Sequence, residues 1–140
     1  MRRSGLTLLE LTLVLAICGV LTAIAIPRLI SLRNASAVRS AASEVAASFT
    51  LARQTAIARR GTVAVVFDTV AGVVIVRSGN RVVSQRQLRG IYSVMVGVNR
   101  DSAVYDARGL GYGVSNITIT IRRGTFVDTL TMSRLGRLTW

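Results

Sequence analysis

The chain has 140 residues, 51% of them hydrophobic, and a formal charge of +12 from 18 basic residues, all arginine, against six acidic ones. With no histidine, no lysine and a single cysteine, it cannot assemble a Ser-His or Ser-Lys nucleophile pair or an internal disulfide. One membrane-embedded helix and one modest folded domain fit this length, and the excess positive charge favours phosphate, acidic polysaccharide, anionic lipid or an acidic protein as partner.

The first element is the apolar run from Leu6 to Ile26, long enough for a helix to cross a bilayer, which takes about 20 residues. Glu10 is its only charge. A carboxylate at the centre of such a helix costs about 2.5–3.5 kcal/mol on insertion scales and less near an end, so Glu10 is expected to have a function and a partner. Three readings compete for the segment: a cleaved secretory signal (Arg2 and Arg3, then Ala23-Ile24-Ala25), a twin-arginine signal, or a membrane anchor. Glu10 speaks against the first, because it interrupts the apolar core a signal needs. Arginines on both sides leave the orientation open.

Beyond Pro27 the helical period resumes. Val38, Ala42, Val45, Phe49, Ala52 and Ala56 form one apolar stripe, with Arg39, Ser40, Ser43, Glu44, Arg53 and Gln54 opposite. The pattern predicts a single helix from about residue 6 to Arg59, kinked or loosened at Pro27 and ended by Gly61. At about 1.5 Å per residue it would be about 80 Å long, too long for a globule of this size, so its first half should project. After Gly61 the period falls to two. Strands are expected at 62–67, 72–77, 81–88, 91–98, 116–122 and 125–132, with a short last one at 135–140 and an irregular stretch at 99–113. Ile117, Ile119 and Ile121 alternate with Thr118, Thr120 and Arg122, as in a half-buried strand. The order, one long helix and then antiparallel strands, predicts an α+β fold with the stripe packed on sheet.

Catalytic constellations are lacking. Cys18 lies in the apolar run without a base, and Asp101 and Asp106 read as loop-solvating aspartates, too few for a calcium loop or an acid–base pair. The run Gly109-Leu-Gly-Tyr-Gly113 lacks the following helix that a phosphate-cradling loop requires and is expected to be a flexible turn. No enzymatic activity, metal or cofactor is expected.

Ser4-Gly5-Leu6-Thr7-Leu8-Leu9-Glu10-Leu11, the apolar run and Pro27 together resemble the N-terminal motif of type IV pilins and type II secretion pseudopilins, G-F-T-L-x-E followed by an apolar helix with a proline near its end. Leu6 stands where phenylalanine is usual. The resemblance implies a prepilin leader over 1–5, cleavage between Gly5 and Leu6 by a prepilin peptidase, and N-methylation of Leu6. It implies a transmembrane and filament-core helix over 6–27, its amphipathic continuation over 28–60 and a β domain over 61–140, with Glu10 and Pro27 serving assembly. The site implied is the inner membrane, crossed once, with the C-terminal domain periplasmic. In a staggered helix bundle the Leu6 amine of one subunit could then pair with Glu10 of the next, which fixes register more than it adds stability.

The passage Leu51-Ala-Arg-Gln-Thr-Ala-Ile-Ala-Arg-Arg-Gly61 and the tail Leu135-Gly136-Arg137-Leu138 resemble the GspH/FimT minor pseudopilin group, although Thr55 replaces a frequent acid and Thr139 leaves the G-R-x-R tail of DNA-uptake members half complete. Two functions follow. One is structural, a minor pilin or pseudopilin assembling with other pilin subunits. The other is DNA capture through Arg108, Arg122, Arg123, Arg134 and Arg137, with Tyr105, Tyr112 and Trp140 stacking on bases.

Overall fold

The structure is a computed structural model that describes residues 7–113 and 116–139. Gly5, Leu6 and Trp140, which the sequence singles out, lie outside the described residues. The chain divides into two compact units, one up to Arg33 and one from Asn34 onward.

The helix α1 covers Leu8–Arg59 and has Pro27 inside it. Its start is set by Thr7, whose Oγ1 accepts the Glu10 N–H at 3.3 Å while its carbonyl accepts the Leu11 N–H at 3.1 Å. Thr7-Leu-Leu-Glu10 thus has the spacing of a capping box, with the threonine satisfying a donor that no helical carbonyl can reach. The C-terminal end differs from expectation. Arg60, and not Gly61, takes the left-handed conformation, with φ of 48°. Arg60 N–H donates to the Ile57 carbonyl and Gly61 N–H to the Ala56 carbonyl, the paired bonds of a Schellman cap with an arginine where glycine is usual.

In the unit from Asn34 onward, the predicted stripe is buried together with Ala41 and Ser48. It packs on two antiparallel sheets. The first contains β1 (Val63–Asp68), β2 (Val73–Ser78), β3 (Arg81–Gln87) and β5 (Ser102–Tyr105) in the order β3-β2-β1-β5. The second contains β4 (Met95–Val98), β6 (Ile117–Arg123), β7 (Phe126–Met132) and β8 (Leu138–Thr139) in the order β4-β6-β7-β8. Val63, Val65 and Phe67 from one sheet, and Ile117, Ile119, Ile121, Leu130 and Met132 from the other, join the helical stripe in one core. Phe49 is its centre, 6.0 Å from the Phe67 ring and 6.4 Å from the Tyr105 ring by centroids. The face of the second sheet turned away from the core is hydroxyl-rich, as Thr118 pairs with Thr131, Thr131 with Thr139, and Thr120 with Thr129.

Two expectations are corrected. The strand predicted over 91–98 is a short helix, α2 (Leu88–Tyr92), followed by the brief β4. The chain must cross here from the first sheet to the second. Leu88 drops into the core while its N–H and that of Arg89 both donate to the Gly72 carbonyl. The irregular stretch predicted over 99–113 contains β5, paired with β1 from Val63↔Tyr105 to Val66↔Ser102. The glycine run after it is no loose turn. Tyr105 bridges to Gly111, and the Asp106 carboxylate accepts the N–H groups of Arg108 and Leu110 at 2.9 and 3.0 Å.

Candidate assembly and binding surfaces

In the N-terminal unit every described residue from Thr7 to Ile30 is exposed. A helix that is apolar around its whole circumference requires an apolar surrounding, either lipid or protein. Among the described residues α1 is also the one helix long and apolar enough to cross a membrane. Its hydroxyls do not oppose that. Thr12 Oγ donates to the Leu9 carbonyl, Thr22 to Cys18 and Ser31 to Arg28, at 2.6–2.9 Å, so each polar side chain is satisfied within its own helix. Glu10 lies in the first turn, where the partial positive charge of the helix start favours a carboxylate by about 0.3–1 kcal/mol when exposed. No side chain among the described residues pairs with that carboxylate, which is exposed. The sequence led to an intermolecular partner for the Glu10 side chain, and the local cap on its backbone N–H adds to that. The Thr-x-x-Glu spacing is the sequence signal of the Thr7 cap.

Four of the five arginines singled out for DNA separate into two groups. Arg122 and Arg123 end β6 beside the β6–β7 turn, whereas Arg134 and Arg137 lie in the β7–β8 loop at the opposite end of the sheet. Arg123 donates to the Tyr92 carbonyl and is half-buried. Arg108 is committed to Asp106, with Nε and Nη2 both 3.0 Å from Oδ2. The Leu110 N–H, the largest effect, together with Arg108 holds the Asp106 carboxyl below its ordinary range, while burial acts in the opposite direction. Arg122, Arg134 and Arg137 are exposed.

Tyr105 is corrected more sharply. It is buried, with its hydroxyl donating to the Gly136 carbonyl at 3.1 Å, so it offers no platform for a base. Burial pushes its pKa up to about 12, with Arg53 acting in the opposite direction. Arg53 itself was missed. It lines a groove of about 470 Å³ with Phe49, Gln54, Tyr105 and Arg137, and no sequence signal couples a helical arginine to a residue 84 positions later. Tyr112 is exposed.

Residues 41–136 match the model of the family described as type II transport protein GspH. The chain belongs to that family. The match begins within α1 and ends at Gly136, so it rests on the folded unit and not on the N-terminal motif. Two crystal structures of the type IV minor pilin FimU from Pseudomonas aeruginosa (strain PAO1) share the fold of this GspH-family chain. In space group P21 the TM-score is 0.61 at 18% identity, over 73% of this chain and 86% of FimU. In space group P65 it is 0.59 at 16% identity, over 72% and 90%. Among curated proteins none matches the chain. The family match and the shared fold support a pilin-like architecture and a structural role of the pilin or pseudopilin kind, and the apolar helix of this chain is separately suited to membrane anchoring.

Proposed function

We propose that this GspH-family chain is a minor pseudopilin or minor pilin that enters a filament through α1 after removal of residues 1–5 and methylation of Leu6. The observation that carries the reading is the apolar first half of α1, exposed on all sides and bearing in its first turn one carboxylate that no side chain among the described residues pairs. Before assembly the helix is held in the inner membrane with the folded unit on the periplasmic side. On assembly, neighbouring helices replace lipid, and Glu10 takes the amino terminus of an adjacent subunit as its counter-ion, so that neither charge is left unpaired in an apolar surrounding. The role is structural and uses no catalysis. Pro27, which leaves the carbonyl one turn before it without a helical donor, gives the helix a place to adapt its path within the bundle.

Glu10→Ala is expected to be processed normally and to reach the membrane, but to be lost from sheared filament fractions when measured by immunoblot beside the parent chain. Incorporation at the parent level would refute the pairing.

DNA capture is a second reading, supported by the formal charge of +12, by the exposed Arg134, and by the exposed Arg137 in the groove that Arg53 shares. It predicts binding of the full chain in detergent to a DNA duplex with a steep inverse dependence on salt, lost in an Arg134→Ala/Arg137→Ala variant. No shift at low ionic strength excludes it.

A further inference from the structure

The second sheet has an edge that its last strand covers only in part. β8 pairs with Thr131 and Met132, and among the described residues no strand lies beside β7 from Phe126 to Leu130. The register fixes which backbone groups this leaves open. Ser133 N–H donates to the Arg137 carbonyl on the β8 side, so by the period of two, the N–H and C=O of Thr131, Thr129 and Val127 point the same way. Thr129 N–H is taken by the Asp128 carboxylate at 2.9 Å. Val127 keeps both groups, and Thr129 its carbonyl, facing outward.

Directly along this edge runs a groove of about 580 Å³ between β7 and the helix. Its walls are Ala35, Val38 and Ala42 of α1 and Phe126 of β7, with Arg39 and Asp128 at its margins. Arg39 is exposed and forms no ion pair among the described residues. An open strand edge matches the backbone of another extended chain, and a pocket alternating with it takes every second side chain of that chain. The charge decides between candidates for the occupant. A second copy would bring another +12, whereas Arg39 is suited to a carboxylate.

We propose that the edge of β7 at Val127 and Thr129, with the groove beside it, receives an extended segment of an acidic partner protein as an added strand. The segment inserts an apolar side chain between Ala42 and Phe126 and sets a carboxylate against Arg39. Asp128 guards the same edge when it is unoccupied, because it covers the Thr129 N–H that an added strand would engage. The inference goes beyond the filament reading, since it concerns a contact of the folded unit and not of the apolar helix. Either can fail without the other.

The test uses the full chain in detergent micelles and a fluorescent acetylated heptapeptide, Thr-Val-Glu-Val-Thr-Val-Thr, followed by anisotropy. Val127→Pro removes the outward N–H at a strand edge where proline is tolerated. Val127→Thr changes the exposed side chain and keeps the N–H. Saturable binding is expected, weakened about tenfold by Val127→Pro, as loss of one backbone hydrogen bond implies, and weakened much less by Val127→Thr, which keeps that bond. Replacing the peptide's Glu by Gln should weaken binding to the parent chain and leave binding to Arg39→Ala unaltered. Equal binding by the proline variant, or no saturation at millimolar peptide, overturns the proposal. Self-association of the full chain that Val127→Pro abolishes would assign the edge to a second copy and overturn it as well. Native circular dichroism of all three variants keeps an unfolded protein from being read as a lost site.

Discussion

Gly136 is the residue of the Gly-Arg tail whose identity the structure explains, and Gly136→Ala measures that explanation. Its φ is +76°, and a Cβ placed there would lie 2.7 Å from Tyr105 Cε1, 3.1 Å from the Gly111 nitrogen and 3.3 Å from the Gly109 carbonyl oxygen. The left-handed backbone costs a non-glycine residue about 1–2 kcal/mol. Overpacking in a site that cannot yield adds about 1–3 kcal/mol. The site cannot yield easily, because the Tyr105 ring is buried and its hydroxyl is bonded to the carbonyl of Gly136 itself, while the other two neighbours are backbone. The total is about 2–5 kcal/mol, or a fall in melting temperature of roughly 10–25 °C for a domain of this size. Gly79→Ala is the control. Gly79 also has a positive φ, +58°, but nothing lies within 4 Å of its added Cβ, so it should cost only the backbone share, about 1–2 kcal/mol. Urea and thermal unfolding of a fragment starting at Asn34, where the folded unit begins, compare the two directly. If Gly136→Ala is no more destabilising than Gly79→Ala, the steric argument is wrong.

Three further outcomes are expected with the same fragment. Phe49→Ala empties the centre of the core, between Phe67 and Tyr105, and should cost about 3–5 kcal/mol in urea unfolding. Arg60→Gly should raise stability, by up to about 1 kcal/mol, since it relieves a left-handed arginine at the helix cap while giving back some unfolded-state entropy. The Tyr105 pKa is raised on folding from 10.0 to about 12, so its contribution is complete below pH 10 and is lost as pH rises through the folded value. Between pH 10 and 12 the unfolded chain releases a proton that the folded chain retains, and Tyr105→Phe should reduce the fall of stability there by at most about 1.4 kcal/mol per pH unit. Equal slopes for the two proteins would refute the assignment.

How much of this was legible in the sequence depended on the length of each signal. The stripe from Val38 to Ala56 repeats over five steps, and the Ile–Thr alternation of β6 over three, so both were readable and both are buried as the pattern required. β5 has only four residues, and its pairing with β1 is a long-range fact. Nothing local distinguished Tyr105 in that strand from an exposed loop tyrosine. α2 was hidden for a related reason: Ile91-Tyr92 and Val94-Met95-Val96 look like one strand until the need to change sheets forces Leu88 inward. At the candidate site, Glu10 could be singled out as a lone charge, and its capping by Thr7 was present in the spacing. The arginines could be counted but not grouped. Their separation to opposite ends of one sheet, and the addition of Arg53 to Arg137, follow from strand register and helix packing that composition does not encode.

The hydroxyls of Thr12, Thr22 and Ser31 hold the carbonyls of their own helix. On the filament reading, a subunit drawn from lipid into a filament exchanges one apolar solvent for another without breaking any of these bonds. Over its exposed apolar first half the helix is then indifferent to which of the two surrounds it. The exception is the first turn, where the charge of Glu10 has no counterpart in lipid. On the filament reading, the direction of travel is then decided at one end of the helix, and the remainder contributes passage with little resistance.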